Sequence, residues 1–108
     1  MRAGALRHRV QIQNYVEGVD EIGQPFYGWE TVATVWAAVE PLQGREFFAA
    51  QTAFSETTTR IRMRYRPGIT TTMRILFEGA FYNVQSVIEP HTRRRELQLM
   101  CKSGVNDG

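Results

Sequence analysis

Four arginines stand at alternate positions in "RIRMRYRPGIT", residues 60–70: Arg60, Arg62, Arg64 and Arg66. A guanidinium is planar, permanently charged and offers a fork of donors that matches a carboxylate or a phosphate with two parallel hydrogen bonds. Ile61, Met63 and Tyr65 lie between them. In a strand, alternate side chains face opposite sides, so the segment has one cationic face and one core face. Three readings of the cationic face are open. The first is a solvated surface whose charges pair loosely with neighbours such as Glu56 or Glu78. The second is a protein–protein interface answered by carboxylates of another chain. The third is a phosphate-facing surface, which positions a protein on DNA without reading its sequence.

Other chemistry is sparse. The sequence contains no GxxxxGKS phosphate loop, no GxGxxG and no GxSxG elbow. Its serines, Ser55, Ser86 and Ser103, have no histidine beside them in the chain. The 11 acidic residues form no DxD or ExxH pattern. Asp20 and Glu21 are adjacent but read as a solvated turn. Cys101 is the single cysteine, which excludes an intramolecular disulfide and a zinc-type cysteine cluster; it reads as a small, half-buried strand residue. His8 and His91 are far apart and read as exposed or interfacial polar residues. Trp29 and Trp36 read as core or interface anchors. No residue is nominated as catalytic, cofactor-binding or metal-binding, and an enzyme is not expected.

At 108 residues the chain is expected to form one domain, long enough to bury roughly two thirds of its unfolded surface. No apolar run reaches the roughly 18 residues that cross a bilayer. The N-terminus has no apolar segment of the secretory kind, so the chain is expected to stay in the cytoplasm where it is made. Net charge is only +2, yet 12 of the 13 basic residues are arginine, and "RIRMRYR" and "RRRE" hold seven of them.

Alternation and turn residues outline the elements that position these groups. Residues 1–6 read as a loose arm. "HRVQIQNY" alternates, with Val10 and Ile12 inward and Arg9, Gln11 and Gln13 outward. A long loop is expected over 16–25, where Gly, Asp and Pro gather. "FYGWETVATVWAAVEPL" is a β-region, with Val35, Ala37 and Val39 on one face, ended by Pro41. Phe47, Ala50 and Phe54 fall at helical spacing and predict one short helix over 44–52. The adjacent Phe47 and Phe48 cannot both enter one core, which points to an exposed apolar residue. Strands follow at "SETTTRIRMRY", "RILFE", "FYNVQSVIEP" and "ELQLMCK", with turns at Pro67-Gly68 and "EGAF", a polar loop at "HTRRR" and a polar tail from about residue 103. The prediction is a mainly β fold: a small antiparallel β-barrel or sandwich of about six strands with one short helix.

Several segments, in order, resemble the head–tail joining proteins of tailed bacteriophages, also called head-closure or connector proteins. They are "LRHRVQIQ" (6–13), "ATVWAAVEPLQGREFFAAQ" (33–51), "TRIRMRYRPGIT" (59–70), "RILFEGAFYNVQSVIEP" (74–90) and "RRRELQLMC" (93–101). The resemblance implies a small β-barrel without enzymatic activity or cofactor. It also implies a virion protein, assembled in the bacterial host cytoplasm. Copies would form a ring, commonly a dodecamer, between the portal or its adaptor and the tail. Double-stranded DNA would run through the channel without sequence recognition, and no membrane would be involved. On this reading Arg60, Arg62, Arg64 and Arg66 are candidates for the subunit interface or the DNA channel, mostly the former, because DNA must slide. Arg66 would alternatively brace the Pro67-Gly68 turn. Arg45, Glu46, Phe47 and Phe48 in the 44–56 segment, and Asp20 and Glu21 in the 16–25 loop, are candidates for docking partners. The alternative class is a non-enzymatic nucleic-acid-binding β-barrel of OB or SH3-like type, which would bind nucleic acid tightly and salt-sensitively.

Overall fold

The computed structural model describes residues 6–53, 56–90 and 95–103. They form six strands and one helix: β1 His8–Val19, β2 Pro25–Pro41, α1 Gly44–Ala53, β3 Thr59–Arg64, β4 Met73–Phe77, β5 Ala80–Ile88 and β6 Glu96–Ser103. The strands close into a barrel in the order β1-β2-β3-β6-β5-β4, with every pair antiparallel. Between the sequence alternatives of barrel and sandwich, the structure is the barrel.

The interior is filled by alternate residues of every strand, as closure of a small barrel requires. Val10, Ile12, Ala37, Ile61, Met63, Ile75, Val84, Leu97, Leu99 and Cys101 form one buried cluster. Register brings them together: Ile12 lies opposite Ile75, Ala37 opposite Met63 and Ile61 opposite Leu99. Val35 and Val39 pack against the same cluster. Cys101 is fully buried rather than half-buried, and burial pushes its thiol up to about 12, so it is a packing residue.

The β4–β5 hairpin turns through Glu78 (φ 50°) and Gly79 (φ 81°), both in the left-handed region that a two-residue hairpin of this type demands. Predicted helix and observed helix agree within a residue; Phe54, His91, Arg93 and Arg94 lie outside the described residues. Leu6, placed in the loose arm by its sequence, is buried, and Ser103 is the last residue of β6.

The 16–25 loop is a correction. β1 continues to Val19 and β2 begins at Pro25, leaving a turn of only 20–24. Two features explain it. Gly18 lies opposite Phe26, and a Cβ there would meet the Phe26 ring at 2.9 Å, so the glycine makes room for a cross-strand aromatic. Pro25 starts its strand, where a missing N–H is tolerated.

Beyond Asn14, β1 has no partner but β2, and β2 pairs with β3 only from Ala37 onward. The outer half of the hairpin is therefore a two-stranded arm projecting from the barrel, and the molecule measures 52 × 28 × 26 Å. A bulge between Ile12 and Gln13, with Val32 as the extra residue on β2, marks its root. Gln13, an outward position by its alternation with Ile12, is nonetheless buried here. Its Oε1 accepts a 2.8 Å hydrogen bond from Nε of Arg74. The Arg74 guanidinium is 4.1 Å from the Trp29 ring centroid and 3.8 Å from that of Phe81. One buried arginine thus ties both strands of the arm to β4 and β5. Arg74→Lys loses the planar stack and the fork; it is expected to cost about 1–3 kcal/mol and to speed amide exchange in the arm, measured by urea unfolding and hydrogen exchange.

Candidate functional site

The outer face of β3 holds Arg60, Arg62 and Arg64, because Ile61 and Met63 claim the inside; the strand ends at Arg64, so Arg66 lies beyond it rather than on the same strand face. β3 pairs with β2 so that Arg60 lies opposite Glu40, and with β6 so that Arg64 lies opposite Glu96. Carboxylates from the neighbouring strands therefore fall on the same face. Glu40 accepts from Arg60 Nε at 2.9 Å and from Arg62 at 2.8 and 3.1 Å. Arg60 also reaches Glu46 of α1 at 3.0 Å, and Arg62 reaches Glu96 at 3.6 Å. Burial acts to raise the Glu40 carboxyl, but the hydrogen bonds from Arg62 and Arg60 and the attraction of their charges together outweigh it and hold the group below its ordinary value. The reciprocal bond raises Arg62 above its own.

Half the stripe is thus answered within the chain. The partners are Glu40, Glu46 and Glu96, not the Glu56 and Glu78 suggested by the sequence; Glu56 pairs instead with Lys102 at 2.7 Å. Arg64 and Arg66 have no ion-pair partner among the described residues. They lie beside Arg9, Thr34, Val35, Trp36 and Tyr65 around a cleft of about 270 Å³, with the Arg9 guanidinium 5.0 Å from the Trp36 ring centroid. Arg9 and Trp36 were not singled out by the stripe's pattern; only the pairing of Arg9 with Trp36 across β1–β2 brings them there.

The Arg60–Glu46 contact latches α1 to the barrel wall, and Gln51 holds the segment after the helix through Thr57 O and the Glu56 amide. Between the helix and the wall is a cleft of about 340 Å³, bordered by Ala49 and Ala50 on one side and by Ser86, Ile88 and Met100 on the other. Phe48 points away and is 70% exposed, with the Phe47 ring edge-on at 5.6 Å. One of the two phenylalanines is therefore an exposed apolar residue. Arg45 is exposed on the same helix.

At the arm tip Asp20 is occupied locally: its Oδ1 accepts from the amides of Ile22 and Gln24 and shapes the turn. Glu21 is exposed next to it. The arm also exposes Tyr15, Val19, Ile22, Phe26 and Tyr27, a set the sequence reading placed partly in a loop. Among the described residues no group of three His, Cys, Asp or Glu side chains could hold a metal ion.

Comparison with known proteins assigns the chain to the structural proteins of phage particles. The family model for phage head completion proteins matches residues 1–104, and the chain belongs to that family. It is a structural family rather than a family of enzymes. The chain is 27% identical over 110 residues to the head completion protein gp7 of Enterobacteria phage HK97, covering 97% of this chain and 98% of that protein. Among solved structures it is similar to protein SF1141 from Shigella flexneri 2a, with TM-score 0.79 and 29% identity over 99% of this chain and all of that one. It shares its fold with a chain of the virion of the native gene transfer agent particle, at TM-score 0.60 and 16% identity over 94% and 97% of the two chains.

Glu40→Gln removes the acceptor that Arg60 and Arg62 share. The pair is about one-third exposed, so solvent screening limits its worth to about 1 kcal/mol at neutral pH. A carboxyl held low stabilises the fold above the ordinary glutamate range and ceases to do so as pH falls through the depressed value. The difference in urea midpoint between wild type and variant is therefore expected to be largest near neutrality and to close in strong acid.

Proposed function

We propose that this chain forms a ring at the head–tail junction of a tailed phage or prophage particle. Portal or adaptor would lie on one side, tail on the other, and genomic DNA in the channel. The observation that carries the reading is the match of nearly the whole chain to the head completion family. Physical features support it. The barrel interior is packed with side chains, so one chain offers no passage, and a DNA channel has to be enclosed by several. Cyclic closure needs two different complementary patches on each copy. The arm and the cleft beside Trp36 are distinct surfaces of that kind, and the α1 segment with Phe48 adds a third. Ring number, commonly twelve in such proteins, is part of the same reading, as is assembly in the host cytoplasm before incorporation into the particle.

Arg60 and Arg62 hold α1, β2, β3 and β6 together, which leaves two of the four stripe cations for phosphate. That suits a channel through which DNA slides. The second reading, a nucleic-acid-binding barrel, draws on Arg64, Arg66 and Arg9 around an exposed tryptophan.

Two measurements test these readings. Shortening the arm by deleting residues 17–26, or replacing 45–52 by a short linker, in protein whose barrel still folds, is expected to leave filled heads without tails, counted by electron microscopy; unchanged joining would overturn the docking role. DNA binding across a salt series is expected to be weak, with log K falling at most about −1.8 per decade for two phosphates at about 0.9 each. A slope of roughly −3.6, abolished when Arg60, Arg62, Arg64 and Arg66 are all changed to Gln, would make the stripe a DNA surface and favour the second reading.

A further inference from the structure

The arm and the cleft beside Trp36 are opposite in charge. From Val10 to Gly44 the sequence has no lysine, arginine or histidine, and the arm carries Glu17, Asp20, Glu21 and Glu30. Glu17, Glu21 and Glu30 make no ion pair among the described residues. Between these carboxylates the arm is apolar, with Ile22 79% and Tyr27 66% exposed. The cleft is its converse: Arg9, Arg64 and Arg66 around Trp36, which is 51% exposed.

The arm cannot reach the cleft of its own chain. Pro25 and Val35 lie on one continuous strand, about 34 Å apart at ten residues of about 3.4 Å each. The ribbon would have to fold back through its own ladder. Whatever joins the two surfaces joins two molecules.

We propose that the arm of one copy seats in the Arg9–Trp36–Arg64–Arg66 cleft of the next copy. The proposal rests on the ring reading above and supplies its subunit contact. Arm carboxylates meet guanidinium groups, and the exposed tyrosine and phenylalanine rings meet Trp36. The contact also covers the outer edge of β2, which pairs with no strand from Pro25 to Trp36 among the described residues; such an edge is open to a further strand. Because the two surfaces differ, the contact is heterologous, and repeating it generates a ring if the rotation closes.

The test uses the chain in particles of the phage or prophage that encodes it. Glu17→Arg/Glu21→Arg and Arg64→Glu/Arg66→Glu are each expected to lower the yield of tail-joined particles at least about tenfold, through like charges brought together. The four changes combined are expected to recover most of the yield. In a separate variant, Tyr27→Cys with Thr34→Cys is expected to give a ladder of covalent multimers on oxidation of assembled particles. The native Cys101, at 0% exposure, stays out of the reaction. Mixing chains that carry only one of the two cysteines should stop the ladder at dimers. Failure of the combined variant to recover, or cysteines that stay unlinked in particles holding several copies, would overturn the arm–cleft contact and leave the ring reading standing. Cross-links from the arm to a portal or tail subunit, or protection of Arg64 and Arg66 by DNA, would overturn it in favour of that other occupant. Absence of the chain from wild-type particles would overturn the ring reading itself, and the contact with it.

Discussion

Closure of the barrel depends on a short seam. β1 meets β4 through only four residue pairs, Gln11–Leu76 to Asn14–Met73. Those pairs carry Ile12 and Ile75 into the interior and remove the two edges an open sheet would expose. They also decide where the barrel ends. β4 begins at Met73, so β1 beyond Asn14 has nothing to pair with on that side. The length of the shortest strand thus creates the arm.

An isolated two-stranded ribbon is marginal in water. This one is anchored at its root by Arg74, which is buried among Gln13, Trp29 and Phe81, and by Tyr15 packed edge-on against Trp29 at 5.4 Å. The guanidinium keeps a hydrogen-bond acceptor and lies over two aromatic faces, the arrangement that lets a buried cation be tolerated. Contacts at the root and open edges further out together make a projection that is anchored at one end and unpaired at its margins.

A different division of charge governs the wall. Around Arg60 and Arg62 every cation has a carboxylate, and the result is a latch between α1 and three strands. Around Arg64 and Arg66, two residues further on, positive charge is left over beside Trp36. One stripe in the sequence therefore does two things in space, internal bracing at one end and external presentation at the other. A structural phage protein of the head completion family works among other structural proteins of the particle, and the two ends of the stripe differ in how much charge they leave outside the barrel.

The sequence by itself determined the local geometry. Alternation of apolar residues identified most of the strands and placed Ile61, Met63, Leu97 and Leu99 inside, since a two-residue period leaves no other face for them. Helical spacing located α1, and Glu78-Gly79 marked a tight turn. What the sequence could not decide were relations across the sheet. Gly18 and Pro25 carry the composition of a loop, and only the placement of Phe26 over Gly18 makes them strand. Gln13 has a polar side chain at an outward position, and only Arg74, 61 residues away, buries it. Glu40 becomes the partner of Arg60 and Arg62 because β2 and β3 pair in one register. Each of these depends on which strands become neighbours, and that is settled by closing the barrel around a single core.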